Sequence, residues 1–147
     1  MYRFEILDTV EKMLPHLPLL QQLPTHEYDE TQYMQMLSEM IPNGYSQVAV
    51  FEEDKCVGVA GYWINTKLFT GKYAELDNVL IDKDYRSKGI GEELCSFIEK
   101  DAIAKGCKYI VLDCFLENNR AQEFYNKLGY VAKGYHMIKK VISRHLQ

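Results

Sequence analysis

The stretch from Tyr73 to Glu93, YAELDNVLIDKDYRSKGIGEE, constrains the fold more than any other. From Tyr73 to Ile81 it alternates: Glu75, Asp77, Val79 and Ile81 fall on one face and Ala74, Leu76, Asn78 and Leu80 on the other, the period-2 pattern of a strand. Asp82, Lys83 and Asp84 make a polar turn, and Arg86-Ser87-Lys88-Gly89-Ile90-Gly91 then enters a helical pattern with Ile90, Leu94, Phe97, Ile98 and Ala102 on one side. A glycine-bearing loop therefore joins a strand to a helix N-terminus. The first N–H groups of a helix lack intrahelical partners and stand at the positive end of its dipole, so an anion able to reach the backbone is favoured there. Gly89 and Gly91 carry no Cβ to hold such an anion away, and Arg86 and Lys88 add charge. A diphosphate fits such a place, although the same glycines also serve as plain turn residues and Arg86 and Lys88 as parts of a solvated turn. No Gly-Lys-Ser/Thr follows, and the third glycine of a dinucleotide fingerprint is missing, which argues against a nucleoside triphosphate or dinucleotide ligand.

A second motif lies downstream: Asn118-Asn119-Arg120-Ala121-Gln122-Glu123-Phe124-Tyr125-Asn126-Lys127-Leu128-Gly129-Tyr130. Its order after the Arg-x-x-Gly-x-Gly loop resembles the GNAT superfamily of acetyl-CoA-dependent N-acetyltransferases. The resemblance is specific from about Tyr73 to Tyr135 and one of general layout before that. It implies that Arg86, Ser87, Lys88, Gly89, Ile90 and Gly91 hold the coenzyme A pyrophosphate. It also implies that the backbone of Val79, Leu80 and Ile81 lies along the acetyl and pantetheine groups, with the Val79 N–H on the acetyl carbonyl. Asn118 would touch the pantetheine arm. Tyr125 would lie near the sulfur as general acid, and Glu75 or Asp77, ranked equally, would be the base. The residues alone also admit structural readings: Tyr125 as a core tyrosine on the stripe Ala121, Phe124, Leu128; Glu75 and Asp77 as solvated or ion-paired strand carboxylates; Asn118 as a helix cap.

The implied activity is transfer of an acetyl group from acetyl-CoA to a primary amine of a small molecule or protein, by direct attack in a ternary complex. The alternative is a non-catalytic module that binds acetyl-CoA or CoA, or another protein, on the same fold. Net charge is −4 with mixed signs, so no basic face for nucleic acid is expected. Cys56, Cys95, Cys107 and Cys114 form no Cys-x-x-Cys pair and sit in apolar patterns, which predicts buried free thiols, and the four histidines are too scattered for a metal site. No run of 18 apolar residues exists and MYRFEILDTVEK lacks the features of a signal peptide, so the expectation is a soluble, cytoplasmic protein with no membrane contact. Homodimers are a habit of the family, not a reading of these residues.

With 147 residues the expectation is a single domain, 1–147. Tyr2 to Leu7 reads as a strand, with Asp8 or Thr9 capping a helix that Pro15 and Pro18 break, and Thr25 to Glu30 as an acidic loop that would attract an amine or be merely solvated. Tyr33, Met36, Leu37 and Met40 mark a second helix closed by Pro42-Asn43-Gly44, its methionines read as core in preference to pocket wall. Tyr45 to Phe51, Cys56 to Ile64 and Tyr73 to Ile81 form an antiparallel meander. Helix Gly89 to Lys105 leads by a crossover to a parallel strand, Lys108 to Asp113, then helix Asn118 to Leu128, with Tyr130 to Val131 and Tyr135 to Val141 finishing the sheet. The fold class is α/β (α+β), a GNAT-like mixed central sheet with helices on both faces. Trp63, Tyr28 and Tyr33 are candidates for the acceptor pocket or for core.

Overall fold

In the computed structural model, which describes residues 1–23 and 26–142, β1 (Arg3–Leu7), β2 (Tyr45–Glu52), β3 (Lys55–Lys67), β4 (Gly71–Ile81) and β5 (Tyr109–Leu112) form one sheet in that order. The first four pair antiparallel, and β5 runs parallel to β4 from Tyr73↔Tyr109 to Leu76↔Leu112. The expected meander and crossover are both present. The chain divides into two compact units, Met1–Leu112 and Asp113–Gln147.

In the first unit the helices follow from local chemistry. Thr9 caps α1 (Val10–Met13) by accepting from the Lys12 N–H at 3.2 Å. Pro15 and Pro18 lack the N–H an α-helix needs, so the chain passes through a 3₁₀ turn, Leu14–His16, into α2 (Leu17–Leu20). Asp29 and Gln32 make a capping box for α3 (Glu30–Met40), with bonds of 2.8 and 3.0 Å. Gly44, at φ 103°, ends the following turn, Ile41–Asn43. α4 (Ile90–Ala104) begins at Gly89.

Register decides which side chains meet these helices, because directly paired residues share a face. Tyr45, Ala49 and Val59 lie on one face with Leu7, Met13, Leu17, Leu20, Tyr33 and Leu37, the core under α1–α3. On the other face Val48, Ala60, Tyr62, Ala74 and Leu76 are buried, as are Ile90, Leu94, Ile98 and Ala102 of α4. Tyr62, with no exposed surface, donates its hydroxyl to Asp101 Oδ2 of α4 at 2.6 Å, and Phe4 stacks on Phe97 at 5.3 Å. Helices thus cover both faces, as expected.

In the second unit α5 (Asn119–Lys127) is capped by Asn118, whose Oδ1 accepts from the Ala121 N–H at 3.0 Å. Gln122 Nε2 donates to the carbonyls of Phe115 and Leu116, at 3.0 and 2.9 Å. The two strands expected at Tyr130 to Val131 and Tyr135 to Val141 do not form: both segments lack strand pairing, and Val131, Tyr135, Met137, Ile138 and Val141 are exposed. Alternation supplies one apolar edge, whereas a ladder needs a second backbone in register. Residues 24–25 and 143–147, which include part of the expected acidic loop, lie outside the described residues.

Candidate active site

β4 departs from its alternating pattern at the expected site. Gly61 pairs with Asp77 but Val59 with Leu80, so β3 advances two residues while β4 advances three. Asn78 takes up the excess at φ 56°, a left-handed conformation that Asn tolerates better than most residues. The bulge reverses the alternation. Glu75 and Asp77 share the face toward α1–α3 with Leu80, and not with Val79 and Ile81 as alternation implied. An Asn, a residue that tolerates the left-handed region, inside the strand run is the one signal that could have announced it.

Beyond the bulge β4 has passed its last pair with β5, Leu76↔Leu112. Leu80 is 5% exposed and belongs to the core, so only its backbone is available to a ligand, while Val79 and Ile81 are half-buried. The chain then turns at Asp82, which accepts from the Asp84 N–H at 3.0 Å, and rises to Gly89 at the head of α4. Ser87 (φ 63°) and Gly89 (φ 80°) are both left-handed. Arg86, Ser87, Lys88 and Gly89 are exposed, whereas Ile90 is buried and offers only its backbone. Arg86 Nε donates to the Ile81 carbonyl at 3.2 Å, which ties the loop to the end of β4, and Lys88 Nζ lies 5.1 Å from the Tyr85 ring centroid. A Cβ built on Gly89 meets no atom within 4 Å. The glycine therefore faces open space at a helix N-terminus flanked by two cations, and these residues fit a diphosphate. Gly91 lies in the first turn of α4.

On the α1–α3 side a cleft of about 280 Å³ opens over the bulge. Its wall comes from Leu17 and Leu20 of α2, Tyr33, Met36 and Met40 of α3, His26 and Tyr28 of the preceding loop, Tyr45 of β2, and Asp77 and Asn78. Met36 is exposed wall, not core as its stripe implied, whereas Met40 both lines the cleft and packs against the core; the fully buried members of that stripe are Tyr33 and Leu37. Trp63, the only tryptophan, does not line the cleft but donates its indole N–H to Asp77 Oδ2 at 3.2 Å and packs on Tyr45 with centroids 5.0 Å apart. Gln47, buried on β2, donates to the hydroxyls of Tyr33 (2.9 Å) and Tyr45 (3.0 Å). Burial pushes both phenols above their ordinary range, so they stay neutral. Across from Asp77, Gly61 leaves room for the Tyr45 ring: a Cβ there would stand 2.8 Å from its Cε1. In the acidic loop the Asp29 carboxylate is engaged as a helix cap, and Glu27 and Glu30 are exposed.

In the second unit Tyr125 is half-buried, with Phe124 and Tyr130 edge-on to it at 5.0 and 5.5 Å. All four cysteines are free, but only Cys95 is buried; the other three are half-buried. Among the described residues no group of three or more His, Cys, Asp or Glu could hold a metal ion, and no helix is long and apolar enough to cross a membrane.

Comparison with known proteins bears on this arrangement. A glucosamine 6-phosphate N-acetyltransferase of Arabidopsis thaliana is 26% identical, over 94% of this chain and 95% of that protein. A probable glucosamine 6-phosphate N-acetyltransferase of Drosophila melanogaster is 31% identical, over 79% of this chain and 54% of its own length. Among solved structures, an aminoglycoside N-acetyltransferase in complex with CoA superposes with a TM-score of 0.80 at 16% identity, covering 95% of each chain. The model of the acetyltransferase (GNAT) family matches residues 12–130, and the chain belongs to that family.

Proposed function

We propose that this chain transfers an acetyl group from acetyl-CoA to a primary amine in a ternary complex. The observation that carries this reading is the succession within one unit of a bulged β4, the end of its pairing with β5, and a left-handed glycine loop opening α4. Family relatives named as N-acetyltransferases support it.

Bound acetyl-CoA supplies the acetyl group as a thioester. Arg86, Ser87, Lys88 and Gly89, with the backbone N–H groups of Ile90 and Gly91, hold the pyrophosphate. The Val79 N–H donates to the acetyl carbonyl, where negative charge develops, and the backbone of Leu80 and Ile81 orients the pantetheine. Asn118 holds the pantetheine arm in addition to capping α5. An alkylammonium with a pKa of roughly 10.4 is neutral in only about one molecule in a thousand at pH 7, so a base or a desolvating pocket helps it lose its proton. Asp77 lines the cleft and Glu75 lies on the same face two residues before it, which favours Asp77. Tyr125 returns a proton to the sulfur; a thiol pKa of roughly 8.5 makes this a modest share of the acceleration.

The test is release of CoA thiol from acetyl-CoA across a panel of amines, with Tyr125→Phe beside the wild type. The expected result is acceptor-dependent release that falls by about 10²-fold in the variant while the Kd for acetyl-CoA holds. Equal rates would remove Tyr125 as the acid, and release that no acceptor accelerates would sink the transferase reading.

A further inference from the structure

The cleft over the bulge has a chemistry that discriminates among amines. Its volume, about 280 Å³, lies at the small end of ligand pockets, which run from roughly 300 to 1,000 Å³. The wall is made of three phenol rings (Tyr28, Tyr33, Tyr45), two thioethers (Met36, Met40), leucines, the His26 imidazole and the Asn78 amide, and among the described residues Asp77 is the single carboxylate in it. Neither lysine nor arginine lines it among the described residues. We infer that this cleft is the acceptor site and that it takes a primary ammonium carried on an apolar or aromatic body, not a phosphorylated amino sugar.

Three arguments support this assignment, which rests on the transferase reading only for the acetyl-transfer step. First, a phosphate entering the cleft would meet the Asp77 carboxylate and, among the described residues, neither lysine nor arginine, with the His26 imidazole alone to offset it, so its desolvation would be poorly compensated. Second, an ammonium finds one fixed anion. The Trp63 indole N–H engages Asp77 Oδ2 and orients the carboxylate, and the neighbouring aromatic faces add cation–π attraction. Third, the thioethers of Met36 and Met40 adapt to an apolar body, and Gln47 fixes the phenols of Tyr33 and Tyr45 from beneath. The assignment parts company with the printed names of the relatives that act on glucosamine 6-phosphate. Once the ammonium becomes a neutral amide its attraction to Asp77 is gone, so the same carboxylate that favours substrate does not retain product.

The experiment is equilibrium binding to the full chain by calorimetry, with the fluorescence of Trp63 as a second signal because its indole touches Asp77. The probes are phenethylamine, its uncharged analogue 2-phenylethanol, and glucosamine 6-phosphate. Phenethylamine is expected to bind at least about 10-fold more tightly than either of the others, the size of one charge-assisted hydrogen bond. Asp77→Asn should remove about 10-fold for phenethylamine and leave 2-phenylethanol within about 2-fold, which also certifies that the variant is folded. Tighter binding of glucosamine 6-phosphate, absence of phenethylamine binding, or equal phenethylamine affinity in Asp77→Asn would each overturn the assignment. Thiol release in the same samples separates the two readings. Acetylation of glucosamine 6-phosphate without phenethylamine binding leaves the transferase standing and removes this inference, whereas phenethylamine binding as expected without acetylation of any amine does the reverse.

Discussion

Asn78 is the residue through which fold and site can be tested together. Its backbone is held at φ 56° in the middle of β4, and the three-for-two register between Val59 and Gly61 depends on it. An L-residue in the left-handed region is strained by roughly 1–2 kcal/mol, which Asn relieves in part and Gly escapes, whereas a β-branched residue bears all of it. Asn78→Val should therefore be about 1–2 kcal/mol less stable than Asn78→Gly, a difference in Tm of about 3–8 °C for a domain of this size. Urea denaturation of both variants measures the difference directly. The penalty has a ceiling of interest: if valine drives the extra residue out of the ladder, Leu80 leaves the core and Val79 and Ile81 exchange faces with it. Acetyl-CoA affinity would then fall with stability in the valine variant and hold in the glycine variant. Equal stability of the two, within about 0.3 kcal/mol, would refute the claim that residue 78 is left-handed and with it the derivation of the bulge.

Two further outcomes are expected. Gly89→Ala introduces a Cβ that meets no protein atom but sits at φ 80°; it should cost about 1 kcal/mol in unfolding experiments and weaken acetyl-CoA binding by a larger factor, and an unchanged Kd would detach the pyrophosphate from this loop. Burial pushes the Cys95 thiol from its ordinary 9 up to about 11, with Glu92 and Glu99 adding to the effect. Because the folded pKa is raised, the associated stability is complete below pH 9 and is lost as pH rises toward about 11, where the unfolded chain has already released its proton. Two units correspond to about 2.7 kcal/mol, so urea midpoints taken across that window should fall more steeply for the wild type than for Cys95→Ala, and parallel declines would contradict the assignment.

What the sequence made legible was whatever depends on neighbours along the chain. Of the two caps offered, Asp8 and Thr9, it is Thr9 that caps α1, Asn118 caps α5, Pro15 and Pro18 break the first helix, and the loop from Arg86 to Gly91 opens α4. The errors arose where a partner elsewhere decides. Alternation from Glu75 to Ile81 could not report the extra residue, because a bulge exists only relative to β3. Val131, Tyr135 and Val141 carry a strand's composition without a ladder to join. Met36 and Met40 share a helical stripe with buried Leu37, yet both reach a cleft whose other walls lie elsewhere in the chain. That cleft draws on α2, α3, β2, β4 and one loop, and Tyr45 and Leu20 had nothing local to mark them as its wall.

Gly61 governs the acceptor cleft by what it lacks. Tyr45 fills the volume a side chain at position 61 would occupy, and Gln47 and Trp63 hold the ring there. The floor is thus a lock-nut tightened from a strand the substrate never touches. Exchange of this hydrogen for a methyl would tilt the floor without altering a single group the ligand meets, so the selectivity of this enzyme can drift at a position invisible to any inventory of contacts.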